Sequence, residues 1–145
     1  MFIAGGTMKY IRGNDSNIPC SLHDSRIKEI RFEDGTLIFK LDQVFEFSEG
    51  RDAGYPAEIS FTDIDLEECY VSVFDRTLAE GEFKGTQYNI KEYMEKFKDT
   101  EFEILTEGYH GYDKNFVGWI WGNYFVVSGH ISIWTMGDMI YDIQK

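Results

Sequence analysis

The alternation of apolar and polar residues around Asp34-Gly35 predicts a β-hairpin. The segments "IKEIRFE" and "TLIFKL" flank this dipeptide, which suits the positive φ angles of a type I′ turn. A two-residue loop places Phe32 opposite Leu37 and Ile30 opposite Phe39. One face of the hairpin is then apolar and the other mostly charged, as in an antiparallel pair that is buried on one side.

The same alternation predicts further strands along the chain, and the glycines and Pro56 of "SEGRDAGYPAE" predict a loop between two of them. The last third consists of strand-like segments separated by short turns. The predicted strands are Gln43–Phe47, Glu58–Asp65, Cys69–Asp75, "EFEILTEG", "FVGWIWGNYFVVSGHISIWT" and "DMIYDIQ".

One segment has helical instead of strand periodicity. Apolar residues recur at i, i+3, i+4 and i+7, with Asn89 at the N-cap position and Glu92 at the third helical position, as in a capping box. We therefore predict an amphipathic helix from about Ile90 to Lys98, lying on an apolar surface. Its stripe is formed by Ile90, Tyr93, Met94 and Phe97.

These elements define a fold class. We predict a mainly β protein, an antiparallel sandwich or strongly curved sheet of about eight strands, with one amphipathic helix. The alternative is an α+β protein with the helix packed on one face of an antiparallel sheet. A chain of 145 residues with two prolines and no low-complexity linker indicates a single domain, residues 1–145.

The hairpin of the last third is rich in aromatic residues. A two-residue turn at Gly122-Asn123 would pair Trp121 with Tyr124 and Trp119 with Val126. This strand face is either core beneath the helix or an open aromatic surface suited to sugar rings or a partner's side chains. In the second case the candidate ligand-binding residues are Tyr109, His110, Tyr112, Trp119, Trp121 and Trp134.

The charge is unevenly distributed. The formal net charge is −12, and residues 42–82 carry two basic and twelve acidic residues, a local net charge of −10. Such a surface repels nucleic acid and anionic membranes and attracts a basic protein, so we predict neither nucleic-acid nor membrane binding. The candidate partner-binding residues of this acidic face are Asp63, Asp65, Glu67 and Glu68.

Catalytic and metal-binding patterns are weak. Adjacent His23-Asp24 is similar to the pair of metal-dependent phosphohydrolases, but it precedes a strand, and His110 and His130 stand at no ligand spacing from it. We predict a structural role for the pair, no catalytic residues, no metal and no cofactor. The opening residues lack a secretory signal and Cys20 and Cys69 form no CxxC unit, which favours free thiols in a cytoplasmic protein.

The stretch "LHDSRIKEIRFEDGTLIFKL", residues 22–41, resembles a pattern in small bacterial proteins of unknown function. Some of these are grouped with the immunity proteins of polymorphic toxin systems. The resemblance implies a small cytoplasmic protein that binds and blocks a toxin without catalysis of its own. The matching residues are Leu22, His23, Asp24, Ser25, Ile27, Ile30, Gly35, Leu37 and Phe39.

Two functions follow from these patterns. The first is a non-enzymatic protein-binding domain of the immunity type that presents its acidic surface to a basic partner such as a toxin. The alternative is a small-ligand or carbohydrate-binding β-domain that uses the aromatic face. An enzyme stands third because the sequence contains no assembled catalytic constellation.

Overall fold

Strands make up most of the protein. A computed structural model describes residues 7–13, 18–47, 53–77 and 83–145, so the first part of the predicted loop, residues 48–52, and the acidic residues of 78–82 lie outside the described part. The helical elements are a 3₁₀ turn, Leu66–Glu68, and the helix α1, Ile90–Lys96. The strands are β1 Thr7–Arg12, β2 Cys20–Ser21, β3 Arg26–Glu33, β4 Thr36–Glu46, β5 Ala53–Phe61, β6 Tyr70–Thr77, β7 Phe83–Asn89, β8 Glu101–His110, β9 Asp113–Trp121, β10 Val126–Trp134 and β11 Met139–Gln144.

All of these strands join one antiparallel sheet. Its order is β1-β11-β5-β4-β3-β8-β9-β10-β6-β7, and β2 pairs with β4 beside this path. The prediction of a mainly β protein with one helix is confirmed for the described residues. Among the described residues the sheet has eleven strands instead of about eight, because β1, β2 and β7 show too little apolar alternation to be recognised. Two predicted bounds are wrong: β5 begins at Ala53, within the predicted loop, and the predicted strand Gln43–Phe47 is the end of β4.

The first hairpin has the predicted turn. Asp34 and Gly35 have φ angles of 50° and 77°, as a type I′ turn requires. Phe32 lies opposite Leu37 and Ile30 opposite Phe39. Leu37 and Phe39 are fully buried, whereas Ile30 is partly buried and Phe32 is 37% exposed. The predicted apolar face therefore enters the core through β4, and its outer end on β3 stays open to solvent.

The second hairpin has a different turn from the one predicted. Trp121 pairs with Val126, and the loop of four residues, 122–125, is closed by a hydrogen bond from the Gly122 N–H to the Phe125 carbonyl, 2.9 Å. The predicted register is therefore wrong by two residues. A shift of two keeps every strand side chain on its predicted face, because side chains alternate with a period of two.

The sheet folds over on itself around three phenylalanine rings. Phe39 of β4 and Phe116 of β9 stand three strand spacings apart in the sheet order, about 14 Å along a flat sheet. Their ring centroids are nevertheless 5.9 Å apart, and Phe61 of β5 lies 5.0 Å from Phe39 and 6.2 Å from Phe116. The half from β1 to β3 therefore faces the half from β8 to β7 across a common core.

The helix closes one part of this core. The side chain of Asn89 accepts a hydrogen bond from the Lys91 N–H, which confirms the predicted N-cap, and α1 ends at Lys96, two residues before the predicted end. Ile90 and Tyr93 are buried. No described helix is long and apolar enough to cross a bilayer.

Replacement of Phe39 by alanine tests the central contact. Because Phe39 is fully buried and touches two other rings, we expect Phe39→Ala to lower the free energy of unfolding by about 3–5 kcal/mol, measured by urea denaturation. Phe125→Ala, at a ring that is 44% exposed, is the control, with an expected loss below about 1 kcal/mol. Equal losses in the two variants would contradict the folded-over arrangement.

Candidate binding surface

The outward side of strands β9, β10 and β6 carries a row of apolar and aromatic side chains. Cross-strand pairing places Trp119, Ser128 and Phe74 in one row and Val117, His130 and Ser72 in the next. We call this surface the aromatic face. It consists of Asn115, Val117, Trp119 and Trp121 of β9, Val126, Ser128, His130 and Ser132 of β10, and Tyr70, Ser72 and Phe74 of β6.

This face is open to solvent. Five of its apolar side chains, those of Tyr70, Phe74, Val117, Trp119 and Val126, are between 37% and 44% exposed. The interpretation that it forms core beneath the helix is wrong, because the buried residues of these strands point the other way.

Alternation along the strands explains why the two sides differ. The inward residues Phe116, Ile120 and Ile131 are fully buried, and α1 directs Ile90 and Tyr93 into this same core. The helix thus packs on the inner side of the sheet, at one end. No described element covers the aromatic face.

Charged groups stand at one corner of the face and hold Trp121 in place. The indole Nε1 of Trp121 donates to the Glu103 carboxylate at 2.8 Å, and the Arg26 guanidinium lies 4.6 Å from the indole ring centroid. Arg26 also donates to Glu101 at 3.1 Å, and Lys28 lies 2.6 Å from the same carboxylate. These hydrogen bonds, that of Lys28 first, lower the pKa of Glu101.

A histidine lies near the middle of the face. His130 Nε2 is 2.8 Å from the Asn115 side-chain oxygen, so this nitrogen carries the proton in the neutral tautomer. Partial burial lowers the pKa of His130, because the surrounding side chains remove water from the charged form. The centre of the face is therefore uncharged at neutral pH.

The predicted acidic residues form a compact exposed turn between β5 and β6, which we call the acidic turn. Asp63, Asp65, Glu67 and Glu68 are all exposed. Asp63 has a φ of 52°, and the Asp65 carboxylate accepts from the Glu67 N–H at 3.0 Å, capping the 3₁₀ turn. The Asn89 side chain donates to the Leu66 carbonyl at 2.7 Å, which fixes this turn against the start of α1.

The acidic turn adjoins one end of the aromatic face. Cys69 follows Glu68, and its Sγ lies 3.8 Å from the Trp134 carbonyl at the end of β10. The Tyr112 ring, which is 43% exposed, packs edge-on against Trp134 with centroids 5.9 Å apart. Two sets of residues that the sequence presented as alternatives, the acidic turn and part of the aromatic set, thus meet at one end of the sheet.

The other predicted aromatic residues are separated from this site. Tyr109 points into the space between the two halves of the sheet, where its hydroxyl donates to Glu107 at 2.7 Å and accepts from Tyr141 at 3.4 Å. The Arg12 guanidinium lies 3.9 Å from its ring centroid. His110 is exposed at the end of β8. Tyr109 is a packing residue inside the molecule and not part of an open ligand site.

His23 and Asp24 occupy the corner between the two halves of the sheet. Asp24 has a φ of 66°, and its N–H donates to the Ile104 carbonyl at 2.7 Å. His23 Nδ1 lies 2.7 Å from the Leu105 carbonyl, and the His23 Nε2–Asp24 Oδ2 distance is 3.4 Å. These contacts join the turn to β8 and give the pair a structural role. Within the described residues, no three His, Cys, Asp or Glu side chains are placed to hold a metal ion.

Sequence reasoning missed the apolar residues that β6 adds to the aromatic face, Tyr70 and Phe74, and it left Val117 and Val126 out of the candidate binding residues although alternation had placed them on this face. The signal was present, because alternation in "CYVSVFD" places Tyr70, Ser72 and Phe74 on one side. The pairing of β6 with β10 could not be predicted from the sequence, since the two strands are far apart along the chain.

Comparison with protein-family models, curated proteins and solved structures finds no match to this chain.

The lowered pKa of His130 predicts a pH dependence of stability. Because the unfolded chain takes up a proton near pH 6.5 and the folded chain only at lower pH, the stabilisation is complete above pH 6.5 and is lost as the pH falls through the folded pKa. Urea unfolding of wild type and His130→Gln between about pH 5 and pH 7.5 should show the wild type losing more stability on acidification. If the free energies of unfolding of the two proteins changed equally with pH, folding would not lower the pKa of His130.

Proposed function

We propose that the protein is a non-enzymatic binding domain of the immunity type, which docks a basic protein on the aromatic face and the adjoining acidic turn. The observation that carries the proposal is the uncovered outward side of β9, β10 and β6. Soluble proteins seldom expose large contiguous apolar patches without a binding role. The aromatic face holds five half-exposed apolar side chains on adjacent strands.

The composition of the face suits a protein partner. Its centre holds Trp119 and Val117 with the neutral Ser128 and His130, while Glu101, Glu103 and Arg26 stand at its margin. Protein interfaces have the same arrangement, with aromatic anchors and few charges at the centre and polar groups around it. Because the face extends across three neighbouring strands, it favours a broad partner surface over a small buried ligand.

The acidic turn defines the charge of the partner. Four carboxylates project from a short turn that is fixed by backbone and side-chain hydrogen bonds, next to Tyr112 and Trp134. Fixed negative charge beside an apolar docking surface accelerates encounter with a basic protein and disfavours an acidic one. The resemblance of residues 22–41 to immunity-type proteins supports a toxin as this partner.

Charge reversal at the acidic turn tests the electrostatic part of the proposal. The suitable positions are Glu67 and Glu68, because Asp63 and Asp65 have backbone and capping roles. The partner to test is a basic protein encoded by a neighbouring gene. The double variant Glu67→Lys/Glu68→Lys should slow its association about tenfold at low ionic strength and weaken the salt dependence of that rate. Stopped-flow or surface plasmon resonance measures both rates.

A matched control changes the same charge elsewhere. Glu95 and Asp99 are exposed around the end of α1, away from the acidic turn, so Glu95→Lys/Asp99→Lys should leave association largely unchanged. If both double variants slow association equally, the attraction comes from net charge and the acidic turn is not the contact. If neither double variant slows association, the acidic turn has no part in binding.

Removal of the central indole tests the apolar part. Trp119→Ser should accelerate dissociation of the same complex and weaken binding by roughly thirtyfold, about 2 kcal/mol, with little change in the association rate, because a central aromatic anchor acts after encounter. Ile11→Ser on β1, where Ile11 is 56% exposed, is the control and should bind like the wild type. An unchanged dissociation rate in Trp119→Ser would exclude the aromatic face as the interface.

One observation favours carbohydrate binding as a second candidate function. The exposed indole of Trp119 has the Ser128 hydroxyl directly beside it, a pairing of aromatic platform and hydrogen-bonding group that suits a sugar ring. Titration of the intrinsic tryptophan fluorescence with a panel of monosaccharides and oligosaccharides separates the two candidates. A saturable response that Trp119→Ser abolishes would favour the sugar site over the protein interface.

A further inference from the structure

We propose that the groove between α1 and β3 binds an extended peptide with acidic and apolar side chains, which adds to the free edge of β3 as a further strand. This groove lies apart from the aromatic face and has a volume of about 310 Å³. It lies beyond the end of the ladder between β3 and β8, which pair only at Arg26 and Ile27 because β8 begins at Glu101. The inference does not depend on the proposed function.

The main chain of β3 has hydrogen-bonding groups on its open edge. In a two-residue hairpin the closing pair, here Glu33 and Thr36, is hydrogen-bonded, and the pairs alternate from there. The N–H and C=O groups of Ile30 and Phe32 therefore point away from β4, those of Ile30 toward the groove and those of Phe32 along the same open edge just beyond it. No described strand pairs with this part of β3, so these groups are available to a strand laid beside it.

The groove is bounded mainly by apolar side chains. On the far side from β3 stand Met94 and Phe97 of α1, both partly buried, and the floor is formed by Ile27, Tyr93 and Phe102. A strand edge facing a helix across an apolar channel is the geometry by which an extended peptide is held, with main-chain bonds on one side and alternate side chains in the channel. Methionine adapts to side chains of different shapes.

Charge selects the kind of peptide. The groove is lined by Lys28 and Lys98 against a single carboxylate, Glu29, in a chain whose formal net charge is −12. Lys98 is exposed at the rim, while Lys28 contacts Glu101. Since Lys28 is already neutralised by Glu101, Lys98 is the cation that attracts a peptide with carboxylates flanking its apolar residues, and the acidic turn repels such a peptide.

The experiment measures binding of a fluorescein-labelled hexapeptide, Glu-Val-Thr-Val-Glu-Val, by fluorescence anisotropy. The decisive variant is Phe32→Pro, which removes the outward N–H of β3 and leaves its hydrogen bonds to β4 in place. Phe32→Ala keeps that N–H and is the matched control. We expect Phe32→Pro to bind at least tenfold more weakly than Phe32→Ala, and Lys98→Glu to weaken binding severalfold.

A second probe keeps the test independent of how the proline variant folds. The same hexapeptide with alternate amides N-methylated retains its side chains and cannot form the ladder, so it should not bind the wild type. Circular dichroism and thermal melting verify the fold of each variant. Absence of binding by the unmodified peptide, equal binding of the two probes, or equal affinities of correctly folded Phe32→Pro and Phe32→Ala would overturn the proposal.

Trp119→Ser separates this site from the aromatic face. The variant should bind the hexapeptide like the wild type, since Trp119 lies on the outward side of β9 and does not line the groove. Loss of peptide binding in Trp119→Ser would show that the peptide occupies the aromatic face, which overturns the assignment to the groove. If the protein binds the hexapeptide but not the toxin, the proposed function fails and the assignment of the peptide to the groove stands.

Discussion

The contact of Phe39, Phe61 and Phe116 is the constraint on which the rest of the molecule depends. A sheet of this many strands, left flat, would expose both of its faces along its whole width. The three rings bring β4 and β5 onto β9, so the inward side of each half covers that of the other. A polar chain from Arg12 through Tyr141 and Tyr109 to Glu107 spans the same interior and satisfies groups that would otherwise be buried without partners.

Folding the sheet creates a corner, and the corner explains both proposed surfaces. Only two residue pairs join β3 to β8, supplemented by the turn at His23 and Asp24. Beyond Ile27 the edge of β3 has no described strand partner because β8 begins at Glu101, and α1 fills the opening incompletely, which leaves the groove beside β3. On the outer side, β9, β10 and β6 remain uncovered because the one described α-helix packs on the inner side of the sheet.

The arrangement of charge complements the arrangement of apolar surface. The acidic turn is held by Asp65, Asn89 and the Gly35 carbonyl, which accepts from the Ile64 N–H, so the backbone that carries its carboxylates is ordered before binding. It stands at the end of the aromatic face, whereas the groove has Lys98 exposed at its rim. A basic partner and an acidic peptide are thus attracted to different parts of the same small domain.

Local chemistry determined what the sequence by itself could establish. Asp34-Gly35 set the first hairpin and its register, and Asn89 set the start of the helix. Alternation assigned Trp119 and Trp121 to one strand face even though the second turn was mispredicted, because a register shift of two residues leaves each side chain on the same face. Only the tertiary structure decided that this face is open, that β6 extends it, and that the acidic turn adjoins it. Those features depend on pairing between strands distant in sequence and on where the helix docks, which residue patterns within a single strand do not encode.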